Sequence, residues 1–202
     1  MARSGGPGAK SISAILVPHD AVGLSLGANE YKMGWNAQPT RSVRFDGVRL
    51  GADALLATEG KGFNIAMAGL NGGRINIAAC SLGGASAALA QTVTCMAKHK
   101  AFGQRLSQML ALQFKLAAMS IDLEAARTFL WRAAAALDAK SPDATVLCAA
   151  AKKFITDACF NSANDPLKRH GSYGCLAGYG IERSCGIFGC IRSLRARMRS
   201  CA

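Results

Sequence analysis

A short stretch at residues 70–84, LNGGRINIAACSLGG, places polar residues and glycines ahead of a long apolar run. The polar residues are Asn71 and Arg74, and Gly72 and Gly73 separate them. The start of a helix offers unpaired backbone N–H groups and the positive end of the helix dipole, so these four residues could bind an anion such as a phosphate. The same pattern also fits a plain helix entry with one solvated arginine, because short motifs have many structural uses.

The chain before residue 58 has the pattern of a small piece of sheet. The runs SISAILV (11–17) and RSVRFDGVRL (41–50) are rich in β-branched and apolar residues, and the second alternates them with polar ones. The glycine-rich GGPGAK at 5–10 resembles a phosphate loop, but a strand pattern follows it, so a turn is expected there. Residues 1–57 are therefore predicted to form a few antiparallel strands, too few to close a core on their own.

From about residue 60 the apolar side chains follow the 3.6-residue period of an α-helix. Ser141 followed by Pro142 is a typical pair for the N-cap and first turn of a helix. Long helices with short connections indicate an antiparallel bundle, and three of them leave one side of a four-helix bundle uncovered. The three helices are predicted over 72–98, 106–139 and 143–169, with Leu112, Leu116, Met119 and Leu123 on the core face of the second.

The composition favours a globular protein without nucleic-acid, membrane or metal partners. Half of the 202 residues are hydrophobic, and the formal net charge is +12. A basic excess raises the expectation of an anionic partner, but the last stretch of the chain supplies part of it through arginines with no acidic residue among them. The N-terminal MARSGGPGAK lacks the apolar segment of a signal peptide, and no continuous apolar run reaches the ~18 residues that span a membrane. The eight cysteines include no CxxC pair, so a reduced, cytoplasmic setting with cysteines as small core residues is predicted.

Four stretches together resemble the acyl-CoA dehydrogenase family, and within it the isobutyryl-CoA branch. They follow the family in order from residue 1 to about residue 183: KMGWNAQPTRSVRFDGVRL, EGKGFNIAMAGLNGGRINIAACSLGGA, AFGQRLSQMLALQFKLAAMSIDLEAAR and LCAAAKKFITDACF. The resemblance implies an α+β fold, mainly α, with part of an antiparallel β-domain over 1–57 and an incomplete C-terminal four-helix bundle over 58–183. It also implies FAD held partly across a subunit interface, an acyl-CoA substrate, a homo-oligomer, and an electron-transferring flavoprotein as redox partner.

The resemblance also assigns roles to residues. In the family a carboxylate removes the α-proton of the thioester while the β-hydride passes to the flavin. That carboxylate belongs to an EGT-type motif in the fourth helix, and the chain as read has no such motif, so no catalytic residue is assigned. Asn71, Gly72, Gly73 and Arg74 match the acyl-CoA-binding segment, and Phe102, Gly103, His170, Gly171 and Tyr173 match positions that contact FAD.

Several positions depart from the family. His99 stands where the family has the arginine that reaches the FAD pyrophosphate, which replaces a permanent charge by a side chain whose charge depends on pH. Met109 and Leu110 replace a dipeptide of His-Gln or Asn-Gln type, and Pro166 falls where the family continues a helix. We therefore expect weak flavin binding and no catalytic activity from this polypeptide.

Both ends of the sequence also depart from the family. Met1 falls inside an internal segment, so the N-terminal helical domain and the first part of the β-domain are expected to be missing. Codons permitted for Ser184–Cys201, preceded by the G that ends an Arg183 codon and read one frame over, encode VVRDLRVHQILEGTNEVM, which contains the glutamate motif. Residues 184–202 are therefore interpreted as a frameshifted basic tail, expected to be disordered. Two alternatives stay open: a remnant that pairs with an intact family member, and a tail that binds anionic partners.

Overall fold

The computed structural model describes residues 1–32 and 34–169. These residues divide into two compact units, the first formed by Met1–Lys32 and Asn36–Asn71 and the second mainly by the described residues from Gly72 onward. His170, Gly171, Tyr173 and the basic tail lie outside the described residues, so their predicted roles stay predictions.

The first unit contains short antiparallel strands, as predicted. β1 (Ala2–Arg3), β2 (Ile12–Ile15) and a later strand, β5 (Leu55–Leu56), form one sheet with β2 in the middle. β3 (Leu24–Leu26) and β4 (Val43–Phe45) form a separate two-stranded sheet. The ladders are shorter than the apolar runs because each run includes residues that leave the strand at a turn. The GGPGAK segment forms bends followed by a single 3₁₀ turn, Ala9–Ser11, that leads into β2, which agrees with the expected turn before a strand.

Ser13 ties β2 to the entry of the first long helix. Its side chain is fully buried, and its Oγ accepts a hydrogen bond from the Gly60 backbone N–H at 2.9 Å and lies 2.7 Å from the Ser4 hydroxyl. Gly60 has φ of +79°, a left-handed conformation that favours glycine. A Cβ on Gly62 would fall 2.5 Å from the Ser13 carbonyl carbon, so this helix entry needs glycine for close backbone approach as well.

The first long helix, α1, spans Gly62–Lys98 and so begins before the predicted residue 72. Two adjacent glycines in a helix interior cost only about 1 kcal/mol each. The helical spacing of apolar residues already starts at Phe63, so the helix continues through Gly72 and Gly73 instead of starting there. The prediction that Asn71–Arg74 stand at a helix mouth is therefore wrong.

α1 is also long and apolar enough to cross a membrane when only length and composition are considered, with a mean hydropathy of 1.2 over its 18-residue window. This test averages over a window, and α1 still has no continuous apolar run of that length, because polar residues such as Asn76, Ser81 and Gln91 interrupt it. Core helices pass the same test, and Ala78, Leu82, Ala85 and Met96 of α1 are buried inside the protein. The composition of α1 is thus weak evidence for a membrane partner.

Two further helices, α2 (Leu110–Asp138) and α3 (Ala144–Arg169), complete the described bundle. The predicted core face of α2 is confirmed, since Met119 and Leu123 are buried and Leu112 and Leu116 are half-buried. One core joins all three helices, and its buried members are Ala78, Leu82, Ala85, Leu123, Ala126, Ala133, Ala151, Ile155 and Cys159.

The turn between α2 and α3 differs from the predicted cap. The Ser141 hydroxyl hydrogen-bonds the Asp143 carboxylate, and the Ser141 carbonyl accepts the Ala144 N–H at 3.0 Å. Asp143, not Ser141, directly precedes the first helical residue, and its carbonyl accepts the Leu147 N–H at 2.9 Å. Pro142 and Asp143 form a turn before α3 instead of its first turn.

Candidate functional site

The predicted substrate segment, Asn71–Arg74, lies in the interior of α1. Backbone N–H groups inside a helix are paired with carbonyls four residues earlier, so they are not available to hold an anion. An anion bound here would have to contact side chains. Gly72 and Gly73 contribute open space instead, because nothing lies within 4 Å of the position that a Cβ would take on either residue. In this segment two glycines without side chains, Gly72 and Gly73, therefore lie between the polar residues Asn71 and Arg74.

Arg74 is half-buried and lies on the side of α1 that faces α3. Burial raises the pKa of the Cys148 thiol, and the nearby Arg74 guanidinium partly offsets that rise because a positive charge favours the thiolate. Cys148 is fully buried, and its Sγ contacts the Ala133 carbonyl oxygen of α2 at 3.9 Å. Local sequence patterns could not predict this neighbour, because Arg74 and Cys148 lie on different helices.

The predicted flavin contacts Phe102 and Gly103 form the tip of a hairpin between β6 (Lys100–Ala101) and β7 (Gln104–Arg105). Their φ values are +52° and +78°, as in a type I′ turn, which requires positive φ at both central residues. Glycine adopts this conformation easily, whereas a bulky aromatic residue rarely does. The Phe102 side chain is 97% exposed, so the strain at this position is not offset by packing within the described chain.

His99 links the end of α1 to this hairpin. Its ring Nδ1 lies 2.9 Å from the Cys95 carbonyl oxygen and 3.4 Å from the Cys95 Sγ, and its own carbonyl accepts the Leu106 N–H at 3.0 Å. A proton on Nδ1 would satisfy the Cys95 carbonyl and leave Nε2 as the ring nitrogen that can meet a ligand. Burial raises the pKa of the Cys95 thiol, which disfavours its thiolate form.

The two predicted parts of the site lie far apart within one chain. Arg74 and Lys98 are about 36 Å apart along α1 at 1.5 Å per residue, and the hairpin follows Lys98. The structure therefore does not bring Asn71–Arg74 and Phe102–Gly103 together in a single chain. Each could contribute to one site only together with further residues.

The described residues do not form a cradle for FAD. Phe102 is almost fully exposed, and nothing lies within 4 Å of a Cβ built on Gly103, so the hairpin is an open surface and not a cavity wall. His99 offers at most one ring nitrogen where the family has an arginine. This arrangement provides one edge contact for a dinucleotide and does not fit FAD as a site complete in itself.

A groove between α1 and α2 was not expected from the sequence. Its volume is about 380 Å³ and its lining is mainly apolar. Leu89, Val93 and Leu123 are among the apolar residues that line it. Glu124 and Arg127 of α2 also line it, and they form an ion pair at 3.2 Å. Among the described residues assigned by resemblance, which are Asn71–Arg74, Phe102 and Gly103, none lines this groove.

Comparison with known proteins identifies the family to which this chain belongs. The profile for the acyl-CoA dehydrogenase C-terminal domain matches residues 60–186, which include the described helices, Asn71–Arg74 and the hairpin. The chain belongs to the acyl-CoA dehydrogenase family. The resemblance inferred from the sequence motifs is thereby confirmed, and the family is one of oxidoreductases. The mainly helical fold with small antiparallel sheets is confirmed as well.

Individual relatives agree with this assignment. The mitochondrial isobutyryl-CoA dehydrogenase of Dictyostelium discoideum is 48% identical over 91% of this chain and 44% of the relative. The butyryl-CoA dehydrogenase structure from Megasphaera elsdenii is 34% identical, with a TM-score of 0.85 over 89% of this chain and 47% of that one. An acyl-CoA dehydrogenase from Bacillus anthracis, solved in complex with FAD, is 26% identical, with a TM-score of 0.84 over 90% of this chain and 34% of that one. The chain thus spans less than half the length of these relatives.

Proposed function

We propose that this chain is the C-terminal part of an FAD-dependent acyl-CoA dehydrogenase that acts on a short, branched acyl-CoA thioester. The observation that carries the proposal is the family match over residues 60–186. The branched substrate is supported by 48% identity to a relative named isobutyryl-CoA dehydrogenase. FAD is supported by the flavin complex of the B. anthracis relative. The proposed division of the chain remains 1–57, 58–183 and 184–202.

In this proposal Asn71–Arg74 bind the acyl-CoA. Gly72 and Gly73 leave the α1 backbone bare, which lets an extended ligand lie close to the helix. Arg74 supplies a positive charge for the polar part of the thioester, and Asn71 supplies an amide. The position of Arg74 against α3 supports a fixed orientation for its guanidinium, because a side chain packed between helices loses rotamer freedom before any ligand binds.

Phe102, Gly103, His170, Gly171 and Tyr173 are proposed to contact FAD. The hairpin and Arg74 are far apart within one chain. This distance supports a flavin site that the hairpin forms together with another subunit. FAD, when bound, supplies the hydride acceptor. The protein must supply a carboxylate that removes the α-proton, and such a base contributes ~10²- to 10⁴-fold to the rate. The EGT-type glutamate is absent from the chain as read, so we propose that this polypeptide does not turn over substrate.

The redox partner is proposed to be an electron-transferring flavoprotein, with a second copy of the enzyme as structural partner. We propose no nucleic-acid or membrane partner. The sequence predicts a cytoplasmic location, and this stays a prediction. The D. discoideum relative, by contrast, is named as mitochondrial.

Reading the genomic DNA around this gene tests the proposal. We expect upstream DNA that encodes more of the family, and a single base change near the Arg183 codon that restores the EGT motif. The polypeptide as given should be colourless and inactive, whereas the extended, frame-restored protein should bind FAD and reduce an electron acceptor with isobutyryl-CoA. Turnover by the 202-residue polypeptide, or unrelated upstream DNA, would refute the proposal.

The role of Arg74 needs a variant of its own. In the extended protein, Arg74→Gln should raise KM for isobutyryl-CoA about tenfold or more, because a hydrogen bond to a charged group contributes about 1.5–3 kcal/mol. Arg44→Gln, which removes an exposed arginine of β4, is the matched control and should leave KM unchanged. Equal effects of the two substitutions would argue against a substrate role for Arg74.

A further inference from the structure

The last turn of α1 brings a thiol and an imidazole together. Cys95 lies in this turn, and His99 directly follows the helix, but the His99 backbone N–H still donates to the Cys95 carbonyl at 3.0 Å. The helical spacing therefore extends to His99, and residues four apart lie on the same face of a helix. Cys95 is half-buried and His99 is exposed. The two residues thus form a Cys-x3-His pair at the protein surface.

The distance between the two side chains matches that between two ligands of one tetrahedral metal ion. Zn²⁺ binds a thiolate sulfur at ~2.3 Å and an imidazole nitrogen at ~2.0–2.1 Å, which at the tetrahedral angle places the two ligand atoms about 3.5–3.6 Å apart. The Cys95 Sγ lies 3.4 Å from the His99 Nδ1. A linear arrangement with the same bond lengths would need ~4.3 Å. The pair is therefore already close to the geometry of a tetrahedral chelate.

Binding of a metal ion at Nδ1 leaves the neighbouring carbonyl satisfied. Nδ1 also lies 2.9 Å from the Cys95 carbonyl oxygen, and that oxygen already accepts the His99 backbone N–H. The backbone hydrogen bond persists when Nδ1 turns to a metal ion. With Nδ1 coordinated, the proton of the neutral ring lies on Nε2, so the tautomer of His99 reports the binding.

The pairing distinguishes Cys95 from the other three cysteines that the structure describes. Cys148 and Cys159 are buried. Cys80 is exposed on the same helix, but the residues four positions away are Asn76 and Gly84, which carry no thiol, imidazole or carboxylate. Two histidines at the same four-residue spacing hold zinc on the helices of metalloproteases, so the spacing itself suits a metal ion.

We propose that the Cys95 thiolate and the His99 Nδ1 chelate Zn²⁺ at the end of α1, with the remaining coordination positions taken by water or a small anion. Among the described residues no third cysteine, histidine or carboxylate joins the pair. The site is therefore open, unlike the closed four-ligand sites that hold a fold together. Binding transfers the thiol proton to solvent as the sulfur–zinc bond forms. It requires neither flavin nor substrate, so it is independent of the proposed function.

The charges around the pair limit the affinity. Lys98 and Lys100 flank His99, and Arg105 lies opposite Lys100 in the hairpin. All three are exposed, so salt screens their repulsion of a cation, and they favour an anion among the remaining ligands. We therefore expect weaker binding than in four-ligand sites, and binding that strengthens as the ionic strength rises.

Titration of the full 202-residue chain with Co²⁺ tests the proposal, because thiolate ligation gives Co²⁺ a charge-transfer band in the near ultraviolet. The cysteines beyond residue 169 are replaced by serine, so that only the four described thiols remain; these are Cys175, Cys185, Cys190 and Cys201. Over about 1 μM to 1 mM Co²⁺ we expect one ion per chain. Zn²⁺ should displace it, since zinc binds such ligands more tightly.

Three further variants assign the band to the pair. Cys95→Ser should abolish it, and His99→Gln should raise the dissociation constant at least tenfold, because a single thiolate is then left. Cys80→Ser, which removes an exposed thiol from the same helix, is the matched control and should leave the titration unchanged. Circular dichroism spectra that match the parent chain establish that each variant is folded.

The tautomer of His99 gives a second readout. Long-range proton–nitrogen NMR spectra of the parent chain should show the ring proton on Nε2 at saturating Zn²⁺. Four results would overturn the proposal: no charge-transfer band at the highest Co²⁺ concentration, a band that survives Cys95→Ser, an affinity that His99→Gln leaves intact, or an Nδ1 proton that persists in the presence of Zn²⁺.

Discussion

Leu123 and Ile121 are large aliphatic residues two positions apart on α2, and the structure gives them opposite roles. Leu123 is 2% exposed and belongs to the core shared by the three helices, whereas Ile121 is 68% exposed and lies on the opposite side of α2. Replacing each by alanine therefore separates the contribution of a buried core position from that of an exposed position on the same helix. Both variants keep a residue with high helix propensity at the position.

The expected magnitudes differ several-fold. Leu123→Ala removes buried methyl groups and leaves a cavity among small neighbours such as Ala78 and Ala126, which typically costs 2–5 kcal/mol. Ile121→Ala removes an exposed side chain, so the free energy of unfolding of the monomer should change by no more than about 0.5 kcal/mol. At about 2–4 °C per kcal/mol for a domain of this size, Leu123→Ala should lower Tm by roughly 4–20 °C.

Urea unfolding, followed by circular dichroism, measures both values. The wild type and Ile121→Ala should unfold at the same urea midpoint, and Leu123→Ala at a much lower one with an unchanged m-value. Equal losses for the two variants, or a loss below about 1 kcal/mol for Leu123→Ala, would refute the assignment of faces on α2.

Further predictions concern glycine, cysteine and colour. Gly62→Ala should destabilise the first unit by about 1–3 kcal/mol, because its Cβ would meet the Ser13 backbone at 2.5 Å. Gly83→Ala should stabilise α1 by about 0.5–1 kcal/mol, because nothing lies within 4 Å of the new Cβ. Thermal unfolding of both variants measures the contrast. Burial raises the pKa of Cys159 from 9.0 to about 12, so the unfolded chain ionises first and stability should fall as pH rises from 9 toward 12. Cys159→Ala should lessen that fall, and an unchanged pH profile would contradict the burial of this thiol. The purified chain should show no flavin absorbance after incubation with FAD and gel filtration, and a stoichiometric yellow protein would contradict the open hairpin described above.

The sequence motifs and the local periodicity were sufficient to predict the helices, the core face of α2 and the family of this protein. The 3.6-residue spacing predicted the three helices and the core face of α2 around Met119 and Leu123, because a regular helix fixes which side chains share a face. The four sequence stretches that resemble the family lie in both units, and the family match confirmed the resemblance. The roles of Asn71–Arg74 and of the hairpin come from that resemblance and stay proposals.

Tertiary contacts decided what local patterns could not. Just before α1 begins at Gly62, Gly60 donates a hydrogen bond to Ser13, a residue distant in sequence, and no local pattern predicts that contact. Arg74 meets Cys148 only because α1 packs near α3. The sequence of α2 indicated its core face around Met119 and Leu123, but only the packed bundle shows that Ile121 and Trp131 remain exposed among the described residues. Their exposure depends on which side chains of the other helices reach α2, and therefore on packing that no single helix specifies.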